Sequence, residues 1–244
     1  MASPHPVFGL PGNTNNVLWH YFKIENYRKL LKSEALWFAR ADKLGDPFEG
    51  SVSRLTIQAR KTAFEIAPAL QRGDHTVFEN LLIHESVGFR MQKLTYVNCW
   101  HANEGESSAM WQLYAPTGGV AVRTTCTKLI QHTPSHSFVV GIRYANYVDE
   151  AIPDNDLTAR FVFKRKSFIH ENEIRAIIQE DPHTQGDLDA RDQGMLIKVP
   201  LSDFIDAVFV SPGAPDSFLE EVMLITQQIG KPVHRSEIDS PAIF

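Results

Sequence analysis

One segment late in the chain, residues 168–178, constrains the fold more than any other, because apolar and charged side chains alternate along it. Successive side chains of a β-strand point to opposite faces, so the pattern predicts a strand with one apolar and one charged face. The apolar positions are Ile174, Ala176 and Ile178, and the charged positions are Glu171, Glu173 and Arg175. A charged row is costly to bury unless every charge has a partner. The row therefore predicts either a site for a polar ligand or a solvated strand face with a paired glutamate and arginine.

The rest of the chain supplies enough apolar sequence to build a core around such a strand. The 244 residues are 43% hydrophobic, which suits one large domain. The net charge of −5 argues against a global basic field that would recruit nucleic acid. Two cysteines, Cys99 and Cys126, are too few for a disulfide framework and predict reduced thiols in a cytoplasmic protein. The sequence shows no secretory signal at its start and no run of ~18 apolar residues that would cross a membrane.

Hydrophobic periodicity predicts an α+β fold: a mixed, largely antiparallel sheet with flanking helices and a helical insertion at about 51–94. An irregular arm of residues 1–16, rich in proline, glycine and asparagine, precedes a single domain of residues 17–244. Two helices form the insertion, and the first is kinked at Pro68. Predicted strands cover residues 17–22, 36–40, 95–101, 118–125, 138–148, 168–178, 195–199, 207–210 and 233–235. Predicted helices outside the insertion cover residues 25–32, 106–114, 127–131 and 215–230, and residues 154–165 are predicted as a loop followed by a helix.

Several residues each have two interpretations. Asp46 and Glu49 lie in a turn after the second strand, where they either contact a ligand or cap the next helix, and capping is the preferred interpretation. His20 lies on the apolar face of the first strand, which is typical of a hydrogen-bonded core histidine. Residues 103–106 have the form of a capping box that starts the next helix. That helix carries Trp111 on an apolar stripe, which favours core packing over cofactor binding.

A wider set of residues resembles a bacterial and phage family known as a domain of unknown function, DUF 2971. The resemblance extends from about residue 17 to the last strand and depends on short motifs spread along the chain. The motifs are Trp19-His20-Tyr21, Asp46-Pro47-Phe48-Glu49-Gly50, Asn98-Cys99-Trp100, Glu106-Ser107 with Met110-Trp111 and Tyr114, Gly119 to Val122, Lys166 with Phe168, and His170-Glu171 with Glu173 and Arg175. The family name implies no reaction.

The order of a strand with His-Tyr, a short helix and a strand with an aromatic residue is similar to the first motif of ADP-ribosyltransferases. This resemblance implies an ADP-ribosyltransferase-like fold in which His20 bonds the ribose of NAD, with Tyr21 beside it. A late strand in that family supplies a glutamate that steadies the oxocarbenium-like transition state, and here that role falls to Glu173 or to Glu171. The early and late strands are expected to lie side by side, so that the imidazole and the carboxylate face the same sugar.

The same resemblance implies NAD as the cofactor of an ADP-ribosyl-transferring or NAD-cleaving enzyme, such as a toxin or a phage-defence effector, with an unknown protein or nucleic-acid acceptor. The family's middle motif, a serine, threonine or tyrosine on a strand, is matched by either Tyr144 or Ser107. A fixed carboxylate would stabilise positive charge on the ribose, and Arg175 or Lys166 would clamp the pyrophosphate. The candidate ligand contacts are Tyr21, Asp46, Glu49, Trp100, Glu106, Ser107, Trp111, Tyr144, Lys166, His170 and Arg175.

Two other functions fit these residues. A metal-dependent phosphodiesterase or nuclease would surround Mg²⁺ with the carboxylates of the turn and of the charged strand, and would use Lys166. A non-catalytic binding module would pair the charged strand with a partner. Cys99 and His101 could act as thiol nucleophile and base, but a spacing of two residues is nonspecific. It is not a zinc pattern, because two further close ligands are missing.

Overall fold

The computed structural model describes residues 1–66, 77–116, 118–153 and 156–240, and it confirms the predicted α+β class. In the described chain nine strands form one mixed sheet in the order β11-β10-β4-β1-β3-β2-β9, with β8 beside β3 and β5 beside β8. The pairing is antiparallel throughout this sheet except between β10 and β11, and β6 and β7 form a separate parallel pair. The strands are β1 (Val17–Lys23), β2 (Ala35–Arg40), β3 (Thr95–Ala102), β4 (Gly119–Thr125), β5 (Ser137–Gly141), β6 (Arg143–Ala145), β7 (Phe163–Arg165), β8 (Glu173–Gln179), β9 (Gly194–Lys198), β10 (Ala207–Val210) and β11 (Val233–Arg235).

Seven described helices flank the sheet, and none of them is both long and apolar enough to cross a membrane. The pair α2 and α3 corresponds to the predicted insertion. The predicted kink at Pro68 lies outside the described residues. The helices are α1 (Ile24–Ser33), α2 (Arg54–Ile66), α3 (Val77–Lys93), α4 (Ser108–Tyr114), α5 (Cys126–His132), α6 (Leu201–Phe204) and α7 (Asp216–Thr226).

The two faces of the sheet differ in what they bury. The apolar face, which carries Leu18 and Trp100, packs against α1, α5, α6 and α7 in the largest hydrophobic cluster of the described chain. The charged face carries Trp19, His101 and Glu173, which lie in one row across β1, β3 and β8. Smaller apolar clusters cover the two ends of the charged face, one beneath α4 and the other beneath α3. The centre of the charged face, on β3 and β8, is left to polar side chains.

The segment predicted as one strand from Phe168 begins instead as a turn. Lys166–Glu171 form a 3₁₀ turn, and β8 begins only at Glu173. Asn172 joins the two in the left-handed backbone region (φ 36°), which asparagine tolerates better than most residues. Its side chain donates a hydrogen bond to the carbonyl oxygen of Ala102 at the end of β3, which fixes the turn. The strand prediction is therefore wrong before residue 173 and confirmed after it.

The alternative of a solvated charged face is wrong. Because β8 pairs with β3 on one edge and with β5 on the other, it is a central strand. Glu173 and Arg175 are only 5% and 1% exposed. Glu49 from the turn after β2 and the backbone of Phe161 contact Arg175 and cover it.

Two other predicted elements differ from the structure. The predicted strand 138–148 divides into β5 and β6, which belong to different sheets. The break falls at Ile142, whose N–H donates to the carbonyl oxygen of Glu173 at the start of β8, so the chain leaves the large sheet there. The helix predicted within residues 154–165 is a 3₁₀ turn at Ala159–Phe161 followed by β7, and residues 154 and 155 lie outside the described chain.

The predicted helix caps are also corrected. Asp46 and Glu49 do not cap α2; Ser53 does, through a hydrogen bond from the Thr56 N–H to its hydroxyl oxygen (3.1 Å). The box at residues 103–106 does not cap α4, since its asparagine donates to a carbonyl oxygen in its own loop. Ser107 caps α4 instead, by accepting from the Met110 N–H. Asp46 and Glu49 are thereby free to take part in the buried charge network of the site.

Candidate functional site

The sheet forks at β3, and the fork opens a cavity. One edge of β3 pairs with β8 from Thr95 to His101. The other edge pairs with β2 near its beginning and with β1 near its end, at two positions each. Residues 98–100 have no strand partner on that edge, so β1 and β2 diverge around them. This divergence leaves room beside the centre of the charged face.

The cavity has a volume of about 400 Å³ and combines aromatic walls with charged side chains. Strand β1, the turn after β2, the end of β3, helix α4 and residues 164–175 all contribute to it. The rings that line it belong to Trp19, His20, Tyr21, Trp100, His101, Tyr114 and Phe168. The charged groups that line it are Asp46, Glu49, Lys164, Glu171, Glu173 and Arg175.

Arg175 is the centre of the charge network, and all five of its N–H groups have partners. Its Nε donates to Glu173 Oε1 (2.6 Å) and its Nη2 to Glu173 Oε2 (3.1 Å). On the other side, Nη1 and Nη2 donate to the two carboxylate oxygens of Glu49. The remaining N–H of Nη1 donates to the carbonyl oxygen of Phe161 (3.1 Å). Arg175 therefore has no free donor for a pyrophosphate, contrary to one of the two predicted clamps.

Lys164 links the carboxylates of Glu171 and Glu173. Its ammonium group contacts Glu171 Oε2 and lies 3.5 Å from Glu173 Oε2. The other oxygen of Glu171 accepts a hydrogen bond from the Tyr114 hydroxyl (2.9 Å). Glu171 thus has one cationic and one neutral partner, whereas both oxygens of Glu173 are bound by Arg175. Of the two carboxylates, Glu171 is the less completely neutralised.

The network keeps Glu173 ionised. Burial alone would raise the pKa of Glu173, but the positive charges of Arg175 and Lys164 and the hydrogen bonds outweigh it and lower that pKa to about 2. Its backbone N–H donates to the hydroxyl of Tyr144 (2.9 Å). A carboxylate with such a low pKa is suited to electrostatic stabilisation rather than to accepting protons at neutral pH.

A second ion pair lies at the rim of the cavity, which Asp46 lines and Arg165 does not. Arg165 Nη2 donates to Asp46 Oδ1 (2.7 Å), and the guanidinium lies over the rings of Phe48 and Phe168 at 4.3 and 5.3 Å from their centres. The Arg165 side chain is 33% exposed, unlike that of Arg175. Lys164 also lies over the Phe168 ring (4.7 Å), which makes that ring part of the charged wall.

His101 faces the carboxylates directly. It lies opposite Glu173 on β8 and opposite Trp19 on β1, so the three side chains share the charged face. Its Nδ1 is 2.6 Å from the carbonyl oxygen of Glu171. Burial lowers the pKa of His101, against the opposing effects of this bond and of the Glu171 charge, so the ring is neutral at pH 7.

His20 and Glu173 line the same cavity, but they point to different faces of the sheet. Strands β1 and β8 are not side by side, since β3 lies between them. The His20 ring stacks on Phe22 (4.1 Å) and its Nδ1 is 2.9 Å from the carbonyl oxygen of Cys99. Burial lowers the pKa of His20 to about 4. The expectation of adjacent strands with both groups on one side is therefore wrong, although both groups reach the cavity through the fork.

Cys99 is not a thiolate nucleophile in this arrangement. Burial, and then the negative charge of Glu173, raise the pKa of Cys99 well above its usual value. Both cysteines are free thiols, and Cys126 is buried on the opposite side in the apolar cluster.

Six of the predicted ligand contacts do not line the cavity. Glu106 accepts hydrogen bonds from Trp111 and Ser236, and Ser107 donates its backbone N–H to the Tyr21 hydroxyl (2.9 Å). Lys166 pairs with Glu150 at the surface, so the second predicted pyrophosphate clamp is also placed elsewhere. The six are Glu106, Ser107, Trp111, Tyr144, Lys166 and His170. The predicted residues that do line it are His20, Tyr21, Asp46, Glu49, Trp100, Glu171, Glu173 and Arg175.

Other ionisable or aromatic residues line the cavity but were not among the predicted ligand contacts, including His101, Tyr114, Lys164 and Phe168. His101, at the end of the predicted strand 95–101, had been considered only as a base for Cys99. The position of that strand beside the charged one depends on strand order, which one sequence does not specify. Lys164 stands close to the charged segment, but its contact with Glu171 depends on the 3₁₀ turn.

The carboxylates do not form a metal site among the described residues, where no group of three or more potential ligands is placed to hold an ion. Arg175 and Lys164 hold the oxygens that Mg²⁺ would need. The arrangement therefore gives no support to a metal-dependent phosphodiesterase. Comparison with protein-family models and with curated proteins finds no match, and both predicted family resemblances stay predictions.

Proposed function

We propose that this protein cleaves the N-glycosidic bond of NAD or of a related pyridinium nucleotide, and transfers the ADP-ribosyl unit to water or to an acceptor on a protein or nucleic acid. One observation supports this proposal above all: a cavity with aromatic walls in which carboxylates outnumber cations. Lys164, Arg175 and the rim residue Arg165 offset three of the four lining carboxylates, which leaves one formal negative charge in excess.

The charge of the cavity matches the chemistry of that bond. The nicotinamide ring of NAD is a cation, and the ribose becomes positively charged as the bond breaks. A fixed negative charge in a site of low dielectric constant stabilises this transition state. Aromatic rings such as those of Trp19 and Tyr21 suit a flat cationic ring.

The two glutamates have different roles in the proposal. Glu171 is the carboxylate that faces the ribose, because it is the less neutralised of the two. Glu173 fixes Arg175 and Lys164. Arg165, whose side chain is partly exposed, takes the place of Arg175 and Lys166 as the group that meets the pyrophosphate at the rim.

The proposal includes an ADP-ribosyltransferase-like fold and a cytoplasmic location. Two elements support the fold: an early strand with His20 and Tyr21 and a late strand with Glu173, which line one cavity although β3 separates the two strands. The reduced cysteines agree with the location. Because the sequence resembles a bacterial and phage family, the proposal includes a role as a toxin or phage-defence effector.

The test incubates the purified protein with NAD and uses chromatography to measure the nicotinamide that is released. Glu171→Gln should lower the rate about 10²-fold, because it removes one preorganised charge from the transition state. Lys166→Ala serves as the control, since Lys166 lies outside the cavity. If the wild type neither releases nicotinamide from NAD nor binds NAD in calorimetry, the proposal is wrong.

A non-catalytic binding module for an organic cation is the second candidate. The complete pairing of Glu173 with Arg175 favours it, because such a pair can serve packing alone. Calorimetry with 1-methylnicotinamide, a pyridinium cation, and with neutral nicotinamide would identify this case. Binding of the cation only, without any cleavage of NAD, would favour the module over the enzyme.

A further inference from the structure

The buried imidazole of His101 has one nitrogen whose role is defined and one that is left without a partner. Nδ1 lies 2.6 Å from the Glu171 carbonyl oxygen. A carbonyl oxygen only accepts hydrogen bonds, so Nδ1 carries the proton and Nε2 carries a lone pair. Nε2 is buried and has no hydrogen-bond partner among the described residues. An unpartnered buried acceptor is costly, which points to a group that arrives with the ligand.

The position of His101 is suited to such a group. The residue is 6% exposed and lines the cavity on the charged face, between Trp19 and Glu173. The backbone of Glu171, the proposed ribose-facing residue, holds its ring. The ring is thereby fixed by the same residue whose carboxylate is proposed to face the sugar.

We infer that His101 is the catalytic base that removes the proton from the nucleophile in the proposed reaction. The inference depends on the proposed function and adds a residue to it. The C1′–N bond breaks, and its electron pair leaves with neutral nicotinamide. The oxygen of water or of an acceptor hydroxyl forms a bond to C1′. The proton of that O–H group moves to His101 Nε2 and is later released to solvent.

His20, Cys99 and Glu173 also line the cavity and are less suited to this step. His20 points to the apolar face and stacks on Phe22. Cys99 is a neutral thiol, and Glu173 is bound by Arg175 at both oxygens. Once His101 is protonated, the nearby carboxylates of Glu171 and Glu173 stabilise the imidazolium.

An experiment with azide separates this role from a structural one. Azide attacks C1′ without a proton to lose, so it needs no base. His101→Ala should lower nicotinamide release in water by about 10²-fold or more, the usual contribution of a general base. Sodium azide should restore release in the variant and yield a ribosyl azide, with little effect on the wild type. His183→Ala, at an exposed histidine away from the cavity, is the matched control.

Each outcome is decisive. If His101→Ala retains the wild-type rate within twofold, or stays inactive in azide while its thermal unfolding is that of the wild type, the inference fails and the proposed function stands. If the wild type releases no nicotinamide, both fail. If His101→Ala does not fold, His101→Gln, which retains polar atoms at the site, is measured in the same way and interpreted by the same criteria.

Discussion

The two faces of strand β8 show how one strand serves two purposes. On the apolar face Ile174, Ala176 and Ile178 join the main core, which runs without interruption beneath four helices. On the charged face Glu173 and Arg175 are buried to the same degree, yet ion pairs and hydrogen bonds hold their charged groups. Burial alone therefore does not distinguish the faces; the chemistry of the buried groups does.

The apolar and the charged face of β8 are expected to contribute differently to the stability of the fold. A buried ion pair often contributes no more to stability than apolar side chains of similar volume, because desolvation offsets the attraction between the charges. Apolar side chains at the buried positions of the charged face would therefore be expected to stabilise the sheet at least as well. We infer that the buried charges serve the cavity and are not needed for the stability of the sheet. Three measurements test this interpretation.

The largest effect is expected from Arg175→Met, which should lower the free energy of unfolding by about 3–5 kcal/mol. The substitution removes the guanidinium that Glu49 and Glu173 share and leaves the buried Glu49 carboxylate without its cation. Urea denaturation followed by circular dichroism measures the loss.

The control for this substitution replaces the whole group. Arg175→Met combined with Glu49→Leu and Glu173→Leu should recover most of the lost stability, since no unpaired charge remains at those positions and Lys164 keeps Glu171. A triple variant that is no more stable than Arg175→Met would show that the charges themselves hold the sheet together, and the comparison of the two faces would fail.

Acidification should produce the next largest effect. The pKa of Glu173 is about 2 in the folded protein and 4.5 in a model peptide, so its stabilising contribution is fully present above pH 4.5 and is lost as the pH falls through 2. The contribution is about 3 kcal/mol. Unfolding free energies of the wild type and of Glu173→Gln, measured from pH 7 to 2.5, should converge as the pH falls. Parallel curves would contradict the proposed charge state.

The smallest effect is expected from Lys166→Ala. Lys166 and its partner Glu150 are both exposed, and solvent screens their attraction. Thermal unfolding of this variant should coincide with that of the wild type within experimental error. A clear loss of stability would mean that exposed and buried charges of this protein cannot be separated as the comparison assumes.

Elements with a clear local pattern could be predicted from the sequence. Strand β1, helix α1 and strand β10 begin and end within one residue of their predicted limits, because periodicity and burial agree along each of them. Helix α7 begins after Pro215, and the chain turns at Gly230 (φ 64°), as proline and glycine indicate. The break at Ile142 could not be predicted, since it depends on a hydrogen bond to a residue 31 positions later.

Local alternation predicted one part of the site, and the family resemblances supplied further lining residues such as His20, Tyr21 and Trp100. Glu171, Glu173 and Arg175 were found through their alternation. His101 was considered only as a base for Cys99, because its place opposite Glu173 depends on the register between β3 and β8. Glu49 had two interpretations, ligand contact and the preferred helix cap, since nothing local shows that its partner is a guanidinium on a distant strand.

The fork at β3 has a further consequence for how proteins of this kind change over generations. The floor of the cavity consists of paired strands, whereas its walls come largely from residues 41–53 and 159–172, which contain only short turns, one short strand and irregular chain. Insertions and substitutions in such walls leave strand order untouched. A lineage can therefore exchange one small molecule for another while it inherits the same sheet.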